Sequence, residues 1–140
     1  MVSKDIKVRW SWLKFMYIYT IVGAGGFGLG MVFVPDVIIS MFKFPGQDPI
    51  VFGAFGCMLI SSGILALLGL RSPLKFAPLL LFQLFYKSIW FIAVLLPFLL
   101  ANELQFYVIV FIGIFASYII GDLIAIPFAH IFAKESVQST

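Results

Sequence analysis

Four stretches of this 140-residue chain are apolar over the length of a membrane crossing: Phe15–Val34, Ile50–Leu70, Phe76–Ala101 and Leu104–Ile131. A helix rises about 1.5 Å per residue, so about 20 residues cover the roughly 30 Å of bilayer hydrocarbon. Composition points the same way: 63% of residues are hydrophobic and 11% charged, against about 45–50% and about 25% in an average soluble domain. That excess cannot be hidden in one water-soluble core. The expected fold is all-α: a four-transmembrane-helix up-down bundle occupying residues 1–140 as one membrane domain.

The boundaries carry helix punctuation. Asp48-Pro49 and Ser72-Pro73 each read as an N-cap followed by a first-turn proline. Asn102 with Gln105 resembles a capping box. Short connections after the second and third spans make consecutive helices antiparallel. Between the first two spans, Asp36–Phe44 reads as a short interfacial helix, with Asp36, Ser40 and Lys43 on one face and apolar side chains over the remainder. Pro97 and Pro127 are expected to kink the third and fourth spans. The basic N-terminal segment has the look of a signal peptide, but the apolar run after it is a full span in length and lacks an A-x-A-like cleavage site, so it is read as the first membrane helix.

Charge sets the expected orientation. Lys4, Lys7, Arg9 and Lys14 precede the first span, Arg71 and Lys75 join the second to the third, and Lys134 follows the fourth. The opposite side holds Lys43 with Asp36, Asp48 and Glu103. The positive-inside rule then puts both termini in the cytoplasm, with Trp10 and Trp12 in the inner aromatic belt and a bacterial inner membrane as the expected setting. The net charge of +3 is spent at helix ends, where membrane lipids are the natural partners. Nothing forms the basic face that nucleic acid requires.

Cofactor and metal motifs do not emerge. Cys57 stands alone inside a span, which rules out an internal disulfide and a CxxC pair and leaves it as a small packing residue. GAGGFGLG in the first span follows no strand and is no nucleotide loop. His130, the single histidine, falls near the inner interface as an anchor and not as a metal ligand. No catalytic triad or paired-carboxylate spacing occurs, so an enzymatic role has no support. Small residues instead mark helix packing: Gly113, Ser117, Gly121, Ala125 and Ala129 recur every fourth residue, and Ala24–Gly28 and Gly26–Gly30 are small-xxx-small pairs. These seams serve packing within the bundle or a homo-oligomer.

Two charges sit within the apolar runs, Lys87 in the third span and Asp122 in the fourth. Each costs roughly 2.5–3.5 kcal/mol at a bilayer centre, so a partner or a purpose is expected. Lys87 lies about 12 residues after Lys75 and Asp122 about 12 before Lys134, which sets both about 18 Å deep if the segments are helical throughout. On adjacent antiparallel helices they are expected to form an intramembrane salt bridge, or to share a proton and be neutral together. Gln83, Tyr86, Ser88, Trp90 and Tyr118 complete the expected polar layer. Three readings stay open: a clasp that fixes helix register, a pocket for a small lipophilic ligand with aromatic walls and few polar groups, and a proton path. One small bundle is thin for alternating access, so transport would need an oligomer.

The stretch FGAFGCMLISSGILALLGLRSPLKFAPLLLFQLFYKSIW resembles the DoxX-like group of small four-helix membrane proteins. The resemblance rests on a glycine-bearing second span (Gly53, Gly56, Gly63, Gly69), the Arg-x-Pro turn at Arg71–Pro73 and the four-span length. It implies a four-helix fold and, for some members, work beside partner subunits in quinone-dependent sulfur oxidation or membrane redox complexes. This chain has no redox cysteine pair, so no enzymatic role carries over.

Overall fold

Backbone amides in a chain this apolar find their partners in helices, and the computed structural model, which describes residues 7–102 and 104–135, contains no strand among them. The elements are α1 (Trp10–Phe33), α2 (Pro35–Phe42), α3 (Pro49–Arg71), α4 (Pro78–Leu100), α5 (Phe106–Ala125) and α6 (Phe128–Ile131). Four of them, α1, α3, α4 and α5, are long and apolar enough to cross a membrane. Large apolar side chains cover the outside: Ile50, Leu100, Phe33 and Ile92 are all more than 70% exposed. Lys4 and Glu103, used above to orient the chain, lie outside the described residues.

Helix ends follow the local chemistry, with three departures from expectation. Asp48 caps α3 as anticipated: its Oδ1 accepts from the amides of Ile50 (2.9 Å) and Val51 (3.0 Å), ahead of Pro49 in the first turn. We expect Asp48→Ala to lower stability by about 1 kcal/mol, read as a lower midpoint of thermal unfolding in detergent. Ser72, by contrast, ends α3, and residues 72–77 are turns, so α4 starts only at Pro78. Asn102 makes no capping box. It takes the left-handed conformation (φ 62°) just past α4, the usual way to close a helix C-terminus. The fourth span is broken where a kink was expected. Ile126, pushed to extended geometry by Pro127, ends α5, and α6 follows as a single turn.

Close backbone approach joins α1 to α3. A Cβ added to Gly63 would lie 2.9 Å from Gly25 Cα, and one on Gly28 would lie 2.6 Å from Gly56 O. Below this contact Tyr17 is wholly buried against Gly69, and its hydroxyl donates to Pro73 O at 2.5 Å. The ladder on the fourth span is used only in part. Gly121 meets Met16 and Ala125 is buried, but Gly113 has nothing within 4 Å and Ala129 is exposed. Cys57 is exposed as well, so it is not a packing residue of the interior. Between Gln47 and Phe33 the short helix α2 folds back, and Ile38 seals against Gly30 and Phe52.

Two helices contain a wider turn. Residues Ile21–Gly25 of α1 and Trp90–Leu95 of α4 are π-helical, with hydrogen bonds spaced one residue further than in an α-helix. The first lies in the glycine run, where little side-chain bulk resists it; the second ends two residues before Pro97, which has no amide to donate.

Candidate functional site

Lys87 and Asp122 are both buried at mid-bundle, at 2% and 0% exposure, but they do not form the expected salt bridge. Among the described residues no ion pair occurs. Lys87 Nζ donates to Tyr86 Oη at 2.7 Å and lies over three rings, 4.1 Å from the centroid of Tyr118, 4.2 Å from Tyr86 and 5.4 Å from Phe115. Desolvated cation–π contacts reach about 2 kcal/mol, which offsets part of the cost of an ammonium in this setting. Both carboxylate oxygens of Asp122 lack a hydrogen-bond partner within the protein, as does Nε2 of Gln83.

Helix register explains the separation. Lys87 shares its level with Tyr118, whose ring it covers. Gln83 and Asp122 are each four residues away from that level toward the same end of the bundle, because α4 and α5 are antiparallel. The two positions are therefore about one helical turn apart along the bundle axis, and the side chains do not close that offset to an ion pair. Counting inward from Lys75 and Lys134 treated residues 72–77 and 126–127 as helix, which they are not. In the lower tier, Thr20 Oγ1 donates to Met16 O (2.8 Å) and approaches Gln83 Oε1 (3.3 Å).

Above Lys87 the helices enclose a cavity of about 260 Å³. Its floor is Lys87, Tyr86, Tyr118 and Tyr19; its walls include Phe27, Phe55, Leu59, Phe111 and Phe115; Phe42, Phe44 and Tyr107 form the roof. Lys87 is the one charged residue in this lining. The hydroxyl of Tyr118 is already spent on Tyr19 O (3.2 Å), and Tyr19 Oη pairs with Ser117 Oγ (2.6 Å). Of the residues expected in the polar layer, Lys87, Tyr86 and Tyr118 come together at the cavity. Gln83 and Asp122 lie beneath it, fully buried. Trp90 stands behind the wall, edge-on to Phe115 (5.0 Å), and Ser88 is half-buried away from the lining.

Aromatic walls were expected, but reasoning from the two charges did not name Phe27, Phe42, Phe44, Tyr107, Phe111 or Phe115 as forming them. A signal was present: Tyr107, Phe111, Phe115, Tyr118 and Asp122 recur at helical spacing down one face of the fourth span. In comparisons with protein families, characterised proteins and solved structures, nothing matches this chain. The fold is that of a multi-pass membrane protein, and the site must be read from its own chemistry.

Proposed function

We propose that this protein binds or handles a small lipophilic molecule, alone or as the membrane subunit of a partner that does so. One observation carries the reading: an aromatic cavity of about 260 Å³ whose single charged lining group is the Lys87 ammonium. An apolar enclosure with one or two convergent polar groups is the usual form of a small-molecule site. The proposal includes cytoplasmic termini in an inner membrane, supported by Lys7, Arg9, Lys14, Arg71 and Lys75 at one end of the bundle. It also includes kinship with the DoxX-like proteins, supported by the glycines of α3 and the Arg71–Pro73 turn.

The test is to fill the cavity. Val110 lines it and is half-buried, so Val110→Trp adds bulk without disturbing the lower core. Wild-type protein extracted gently from membranes and analysed by native mass spectrometry is expected to carry co-purified lipophilic material, reduced at least tenfold in Val110→Trp. Equal loading of the two proteins would defeat the reading.

A further inference from the structure

We propose that the molecule taken into this cavity is a single-chain carboxylic acid, which reaches it sideways from the bilayer between α1 and α5 and sets its head against Lys87. The inference rests on the binding reading above and adds the head group, the chain number and the route.

The head group follows from donor accounting. An ammonium has three N–H donors and no acceptor, and one donor of Lys87 goes to Tyr86 Oη. No carboxylate among the described residues pairs with it; Asp122, the acid of the lower tier, does not line the cavity. Around the ammonium the rings of Tyr118, Tyr86 and Phe115 present their faces at 4.1–5.4 Å, and none of them can accept the remaining donors as a carboxylate would. A ligand carboxylate would meet a cation whose desolvation is already complete, and charge-assisted bonds of this kind are about twice as strong as neutral ones.

Chain number follows from size. Sites that enclose a drug-sized ligand hold about 300–1,000 Å³. A cavity of about 260 Å³ takes a head and the first part of one chain, not the two chains of a phospholipid.

The route follows from how α1 leans. Along Trp10–Thr20 this helix lies against α5, and Tyr19 closes the contact through Ser117 and the Tyr118 ring. From Ile21 onward α1 packs mainly on α3, through Gly25 and Gly28, and touches α5 only at Gly23 beside the Tyr118 hydroxyl and at Phe27 beside Phe111. The gap is rimmed by Val22 (70% exposed), Gly23 and Ile114 (36% exposed), all cavity-lining residues that face outward in the membrane-crossing zone. A tail held there runs straight into acyl chains and never crosses water.

The experiment uses Trp90 as reporter, since its ring is edge-on to the cavity wall at Phe115. Full-length Trp10→Phe/Trp12→Phe protein in detergent is titrated with a bromine-labelled dodecanoic acid and with its methyl ester, and fluorescence quenching is recorded. The acid is expected to quench at a concentration at least tenfold lower than the ester, with that preference lost in Lys87→Met. Val22→Phe, a change on the exposed rim, is expected to slow quenching at least threefold. Equal potency of acid and ester in the unmutated cavity would overturn the carboxylate head while leaving lipophilic binding intact. Absence of quenching by both would overturn the binding reading with it. A preference that survives in folded Lys87→Met, or an unchanged rate in Val22→Phe, would overturn the head contact or the side route respectively.

Discussion

Asp122→Leu is expected to stabilise the bundle by about 1–3 kcal/mol, seen as a higher midpoint of thermal unfolding in detergent. The direction runs against intuition for a buried charge facing a buried cation of opposite sign. Magnitudes decide it. Desolvating a carboxylate costs several kcal/mol, and neither Asp122 oxygen recovers any of this through a hydrogen bond. The attraction to an ammonium one turn away, at roughly 7 Å and an effective dielectric of about 20, is about 2 kcal/mol. Leucine keeps the same four-heavy-atom branching, at a larger volume, and leaves no orphaned atom. In a directly paired site the same change would cost about 3–5 kcal/mol, because Lys87 would lose its partner. A fall in the unfolding midpoint of Asp122→Leu, restored by adding Lys87→Met, would therefore refute the separation of the two groups.

Gly28→Val is expected to prevent α1 from docking on α3. The added Cβ would lie 2.6 Å from Gly56 O, 2.8 Å from Ile60 N and 2.9 Å from Leu59 Cβ. Two of those three neighbours are backbone atoms of α3, so no rotamer change relieves the overlap. Overpacking commonly costs about 1–3 kcal/mol, and a rigid backbone contact belongs at or beyond the top of that range. Size-exclusion chromatography and thermal unfolding should show an aggregated or strongly destabilised protein. Gly26→Ala is the control: nothing lies within 4 Å of a Cβ there, and alanine favours a helix by about 1 kcal/mol over glycine. Similar behaviour of the two variants would mean that α1 and α3 do not meet along this face.

The four membrane helices were legible because hydropathy over 20 or more residues needs no knowledge of neighbours. Asp48 was legible for the same reason, since its cap bonds reach only two and three residues along the chain. What failed was inference across space. The depth of Asp122 was counted from Lys134 through Pro127, where the helix stops. Lys87 was assigned the obvious opposite charge, whereas rings of Tyr86 and Tyr118 hold it instead. Which residues roof the cavity depends on α2 folding back to bring Phe42 and Phe44 over α5, a contact between distant segments that no local pattern records. Ser61 and Ser62 of α3 bond to their own helix, at Cys57 O and Met58 O.

The π-helical turn at Ile21–Gly25 makes the length of α1 a matter of phase. A wider turn of this kind takes up one extra residue, so removing one residue there would restore ordinary α geometry and leave Gly28 facing Gly56. The same deletion a turn later, where nothing takes up the loss, would rotate the rest of the helix by about 100° and carry Gly28 off α3. Loss of a single codon within Ile21–Gly25 should thus be tolerated far better than the loss of its neighbour in the regular helix.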